Sequence, residues 1–347
     1  MTKFLKIVPM AVSGLALGLA SLGNLLLPFG ASIRYICGSL SFIILLLFIL
    51  KFILDFPFVR EELKKPVPLS VLPTSTMALM LLCTYIRPFF GDVALIIWYV
   101  AVLAHVSIMV LFFVRFILRF KIENVFPSWF VAFVGLVTVS VTAPAMNADR
   151  IGQFAFYIGF SLYFIALMLN VYRLTGRWQI SRQSRNVEPM QNSELARIPE
   201  PLRSSEHKQI SEPSRSSEHL QIPESLRPTL AIFTAPMSLC LVGYFSSFEQ
   251  QNEYLVYSIL CFAIISYIFV TYKMITELLR TKFYPTYAAF TFPYVISATA
   301  FRFGSVFLAE RGFHFFTPVA QISMWIAVVV VIYVLVRYIM FFRGEMK

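Results

Sequence analysis

Apolar runs of about twenty residues, the length that crosses a bilayer as an α-helix, recur along the chain between short polar or charged breaks. Ten can be marked, over residues 5–28, 33–56, 68–87, 92–117, 126–146, 150–174, 228–247, 253–276, 285–308 and 317–340. Long continuous runs such as Ile322 to Val336 lack the short alternation of membrane β-strands. The pattern predicts an all-α integral membrane protein with ten transmembrane helices. Met1 to Gly23 mimics a secretory signal, with Lys3 and Lys6 ahead of its apolar run. That run continues through Leu27 to a hairpin at Pro28, so it is read as the first span.

The runs fall into two alternating kinds. Odd-numbered runs carry small residues, prolines and hydroxyls: Ser13, Gly14 and Gly18 in the first; Pro73, Thr74, Ser75 and Thr76 in the third; Gly135, Thr138, Ser140 and Thr142 in the fifth; Thr234, Ala235, Pro236 and Ser238 in the seventh. The ninth, Pro285 to Ala300, is the extreme case, with Pro293 inside it, Thr291, Ser297 and Thr299, and rings at Phe290, Phe292 and Tyr294. Even-numbered runs are bulky and uniformly apolar, as in Phe42 to Leu50 and Ile108 to Val114. An interior proline frees a backbone carbonyl, which hydrocarbon tolerates only against protein or a wet cavity. Small residues let helices approach closely. The expectation is therefore five helical hairpins, each giving one odd helix to an inner ring around a central pore.

Composition agrees: 58% of residues are hydrophobic and only 14% charged, with a mean hydropathy of +0.75. The net charge of +11 suits anionic lipid better than nucleic acid, because of where it sits. With a cytoplasmic amino terminus, inner segments hold Lys51, Arg60, Lys64 and Lys65, then Arg115, Arg119 and Lys121, the region Arg173 to Arg227, and the basic carboxy terminus. Outer connections hold few, among them Arg34, Arg87, Arg150 and Arg311. The positive-inside rule then puts both termini in the cytoplasm, in a plasma membrane. Residues 1–178 and 227–347 form the membrane domain. Between them, 179–226 reads as a disordered linker rich in Ser, Glu, Arg and Pro, in which the segment from Arg203 is repeated from Arg215. Cys37, Cys83, Cys240 and Cys261 lie inside apolar runs without metal-ligand spacing. The repeated His207 and His219 do not make a metal site, and no cofactor is implied. Phosphate-binding loops, nucleophile elbows and zinc-protease motifs are absent, which points away from an enzyme.

Pro9 with Gly14 and Gly18, Pro66 to Met77, Pro127-Ser-Trp-Phe130, Pro228-Thr-Leu-Ala-Ile232 with Ala235-Pro236, and Pro285-Thr-Tyr-Ala-Ala-Phe-Thr-Phe-Pro293 together resemble the tellurite-resistance/dicarboxylate transporter family, which includes the plant slow anion channel and fungal malate and sulfite carriers. The resemblance runs nearly end to end apart from the linker. It implies ten helices in five hairpins, a homotrimer, and a pore plugged near its middle by a phenylalanine of the ninth helix, by motif position Phe292. Seven residues beyond Pro285, Phe292 lies about 10 Å along a helix, not far from the bilayer midplane. The chain departs from some relatives at Ala132, where they have a second proline, so a weaker kink is expected in the fifth span.

The spans of the inner ring carry no buried carboxylate pairs, which cation channels and proton pumps use. Small inorganic or organic anions are the expected substrates. The pore gate is assigned to Phe292, and pore-lining or kinking positions to Gly14, Gly18, Pro73, Thr74, Gly135, Thr138, Pro236, Thr291, Pro293 and Ser297. The hydroxyls of Thr74, Thr76, Thr138, Thr234, Thr291 and Ser297 are expected to offer weak dipoles along the wall. Arg302 is expected near the outer interface, either snorkelling or drawing anions to the mouth. His105 reads as a hydrogen-bonded packing residue and Glu277 as a partner of Lys273 or Arg280. The leading reading is a gated anion channel or uniporter. The alternative is a secondary carrier for C4-dicarboxylates such as malate, or for sulfite or tellurite.

Overall fold

A computed structural model describes residues 2–195, 222–277 and 282–345. All regular structure among them is helical. Seven helices are long and apolar enough to cross a membrane. One, Pro66–Ile117, spans 52 residues, but Gly91 inside it has φ 43° and ψ −118°, which only glycine adopts at low cost. The turn falls where the sequence places a hairpin, between residues 87 and 92.

Two segments differ from the predicted spans. The first is divided at Pro9 into α1 (Thr2–Ile7) and α2 (Val12–Leu25), and α2 has only 14 residues. In the fifth, α7 (Trp129–Val134) gives way to a 3-10 turn at Gly135–Val137, α8 (Thr138–Thr142) and a second 3-10 turn at Pro144–Met146. The α-helix passes through Ala132 and breaks three residues later, so the segment is irregular even without the second proline. Helix α9 (Asp149–Leu195) runs beyond residue 179, and Ile222 is already buried ahead of a 3-10 segment, Glu224–Thr234. The repeat between them lies largely outside the described residues.

The two kinds of run separate by burial. Glu224–Ser247 and Pro285–Ala309 are 78% and 72% buried in their most apolar windows, whereas Ala31–Leu54, Glu253–Thr276 and His314–Glu345 reach only 28%, 33% and 33%. Nearly all of α2, α7 and α8 is buried as well. Side chains of the greasy helices, such as Phe42, Leu103, Ile268 and Val329, remain exposed, as suits a lipid-facing surface.

Five proline-bearing segments are closed into a ring by hydrogen bonds between neighbours. Ser13 Oγ on α2 meets Thr74 Oγ1 at 2.7 Å, near the start of the helix Pro73–Phe112. Ser70 donates to Ser128 at 2.7 Å, joining that region to the start of α7. Ser247 donates to Ser140 O at 2.8 Å, linking α8 to Ala235–Ser247. Ser238 and Ser297 are 3.0 Å apart, and Thr291 Oγ1 lies 2.9 Å from Gly14 O, sharing its one hydrogen between that carbonyl and Ala288 O. In a low-dielectric interior such bonds fix register, because an unmade partner has no water to turn to.

The buried Lys51 secures the amino-terminal end of this ring. Its Nζ donates to Leu5 O and Lys6 O at 3.0 and 3.1 Å, two carbonyls in the last turn of α1, and lies 3.6 Å from Asp55. A cation at a helix C-terminus satisfies orphan carbonyls and the helix dipole together.

Close approach of the first and ninth segments depends on Gly18, where a Cβ would lie 2.5 Å from Thr291 Cβ and 3.1 Å from Phe292 N. Gly18→Ala is expected to destabilise the protein by about 1–3 kcal/mol through overpacking, read as a lower unfolding temperature in detergent. An unchanged midpoint would mean this contact is not tight.

Candidate functional site

The five buried segments surround a cavity of about 560 Å³. In each, the lining begins towards the amino-terminal end and stops part-way: at Leu17 in α2, Met77 in the third segment, Gly135 in the fifth, Leu239 in the seventh and Pro293 in the ninth. The ninth segment continues to Ala309 as α-helix, about 24 Å beyond Pro293 at helical rise. The lining of the ninth segment therefore ends at Phe292 and Pro293, and Phe292 is 7% exposed.

Local sequence explains this shape. Runs containing proline wind as 3-10 helix before regular α-helix begins, at Glu224–Thr234 before Ala235 and at Pro285–Phe290 before Thr291. Hydroxyls in these stretches fold back on carbonyls three residues earlier. Thr229 donates to Leu226 O at 2.6 Å, Thr234 to Ala231 O at 3.1 Å and Thr291 to Ala288 O at 2.7 Å. On the third segment Thr74 donates to Val71 O and Thr76 to Pro73 O, each at 2.8 Å.

Of the positions expected to line a pore or kink a helix, Gly14, Thr74, Gly135, Pro236, Phe292 and Pro293 lie on the cavity. Gly18, Pro73, Thr138, Thr291 and Ser297 do not. Gly18 and Thr291 form the contact between the first and ninth segments, and Ser297 pairs with Ser238 and donates to Thr234 O at 3.2 Å. The expected wall of hydroxyl dipoles is thus largely turned into helix backbone and helix contacts, and the surface facing the cavity is mostly apolar. Met10, Leu17, Met77, Phe130 and Leu239 contribute to it. Sequence reasoning passed over them because one apolar side chain among many carries no chemical label. Their proximity to Pro9, Pro73, Pro127 and Pro236 was the available signal.

Charge is sparse at the site. Among the described lining residues only Glu62 and Lys65 are charged, and they pair at 2.5 Å. Arg302 is half-buried off the cavity and donates to Leu25 O at 3.2 Å. Glu277 pairs with Lys273, as expected of an interfacial pair. His105 packs against the back of the wall, its Nδ1 2.9 Å from Thr76 Oγ1.

The model of the voltage-dependent anion channel family matches residues 5–186, which is more than half of the chain. The protein belongs to this family. No curated protein matches the chain. Members of the voltage-dependent anion channel family are channels or transporters, not enzymes, and this one is accordingly a multi-pass membrane protein with anions as its substrates. The matched region holds the first three cavity-lining segments; Phe292 lies beyond it.

Cysteine substitution checks the lining directly. Met10→Cys and Thr229→Cys are expected to react readily with a small charged thiol reagent, while Ser297→Cys stays protected. Equal reaction at Ser297→Cys would place the cavity's limit deeper than Phe292.

Proposed function

We propose that this protein conducts small anions through the axis of the five proline-bearing segments, as a gated channel whose constriction is Phe292. In this reading the chain crosses the membrane ten times in five hairpins. The Gly91 turn divides the third span from the fourth, and α2 and the α7–α8 region cross with the help of their flanking turns. Both termini face the cytoplasm, as the distribution of Lys and Arg requires, and the cavity then opens on that side. Assembly as a homotrimer in the plasma membrane accompanies the reading through the family resemblance.

The observation that carries it is the coincidence of the cavity's end with Phe292. A ring at the floor of an apolar vestibule closes a narrow route by filling it and by excluding water. The electrostatics suit anions. Regular α-helix begins around the cavity at Val12, Pro73, Trp129, Ala235 and Thr291, so the positive ends of five helix dipoles converge on it. No carboxylate other than the paired Glu62 is present among the described lining residues. Weak attraction without a fixed unpaired cation lets an anion enter and leave again, as conduction requires.

Phe292→Ala tests the reading in liposomes loaded with chloride or nitrate. Parent flux is expected to be small and to rise on the order of tenfold or more in the variant, since removing the ring opens the constriction. If the variant left anion flux unchanged while malate moved only with a proton gradient, the gate would fall and the carrier reading would replace it.

A further inference from the structure

His105 and Thr138 stand out because each is completely buried and each leaves one polar atom, Nε2 and Oγ1, without a hydrogen-bond partner among the described residues. Buried polar atoms are rarely left this way. Their placement relative to the cavity is specific. A Cβ on Gly135 would lie 3.0 Å from His105 Cε1 and 3.4 Å from Nε2, so the imidazole packs directly behind a glycine of the cavity wall. Thr138 follows Gly135 by three residues and shares its helix face. The register is fixed further along by Trp98 Nε1, which donates to Thr142 Oγ1 at 2.8 Å. Trp98 lies seven residues before His105, as Gly135 lies seven before Thr142, so the two antiparallel segments keep one facing. Thr138 is then about one turn along the axis from the His105 level, on the side of its segment that carries Gly135 and Thr142.

The proton on the ring can be assigned. Thr76 gives its one hydroxyl hydrogen to Pro73 O, so Nδ1–H donates to Thr76 Oγ1 and Nε2 keeps a bare lone pair. A proton taken from water in the cavity would make Nε2–H a second donor beside the Thr138 hydroxyl. Alone, neither an imidazolium nor an anion is tolerated in an apolar wall; together they are a neutral pair. Of the segments packed here, 73–86, 93–112, 129–146 and 235–247 contain no Asp, Glu, Lys or Arg, and the helix Asp149–Leu195, which also packs on 135–142, carries Asp149 and Arg150 at its start and Arg173 where it donates to Val125 O. Their other titratable side chains are cysteines and tyrosines, among them Cys83, Tyr85, Tyr99, Tyr163, Cys240 and Tyr244, whose ordinary ranges lie above pH 8.

We propose that His105 Nε2 and Thr138 Oγ1 form a subsite behind Gly135 that binds a small monovalent anion together with a proton. The subsite rests on the reading that the cavity admits anions, and it adds proton linkage at a named residue.

The test titrates nitrate into the full-length protein in detergent, weakly buffered near pH 6 at constant ionic strength, with a pH indicator. The parent is expected to take up about one proton per chain as nitrate saturates, because binding of the two ions is reciprocal. His105→Gln should abolish that uptake. Thr138→Val should retain it while weakening nitrate binding about tenfold, the cost of one hydrogen bond to a charged ligand. No uptake in the parent, or the same uptake in His105→Gln, overturns the subsite. Anion flux through Phe292→Ala, measured in parallel, separates the two ideas: flux without nitrate-linked uptake removes the subsite alone, and uptake without flux removes the channel reading alone.

Discussion

A backbone carbonyl freed by proline cannot be left facing hydrocarbon, and much of this structure follows from that constraint. Prolines recur near the start of each buried segment, and each brings a carbonyl that needs another donor or another winding. The chain answers with 3-10 turns, and in the same stretches hydroxyls such as Thr229, Thr234 and Thr291 fold back on carbonyls three residues earlier, which satisfies the hydroxyls away from water. Segments wound this way must be enclosed by protein. Bulky helices without such breaks can face lipid, and they take the outer positions. The ring of bonds from Ser13 through Ser70, Ser247 and Ser238 to Thr291 then holds the five irregular segments at fixed separations, with a cavity between them.

Much of this was legible in the chain. Apolar runs of spanning length and the alternation of small with bulky residues foretold which segments are buried, and the break at Gly91 falls where the pattern placed a hairpin. Burial of the ninth segment follows from Pro293 and its hydroxyls. Local winding was less legible, because periodicity reports the face of a helix and not its pitch. The fifth segment turns to 3-10 at Gly135 without a proline, where Met77 and His105 press against the glycine. Nor could the sequence tell a hydroxyl facing a cavity from one bonded to its own helix. Thr74 does both, its side chain on the cavity and bonded to Val71 O, whereas Thr291 serves only packing and backbone.

An apolar vestibule with a paired charge at its mouth gives an anion little reason to stay. For the proposed channel that is an advantage in conduction, and it would place selectivity in dehydration, helix dipoles and the constriction proposed at Phe292, with strong binding playing no part along most of the wall. Polar groups that the packing leaves unpaired gain importance in such surroundings. His105 is one of them, set behind the wall where it lacks a side chain.

The central claim is that the ring at position 292 closes the route between five irregular helices. Its most direct test is the current carried by Phe292→Cys in a planar bilayer before and after a benzyl group is attached to the new thiol. The account predicts a sustained anion current that falls to the parent level once the aromatic ring is restored. A current indifferent to that modification would contradict it, because the route would then lie elsewhere.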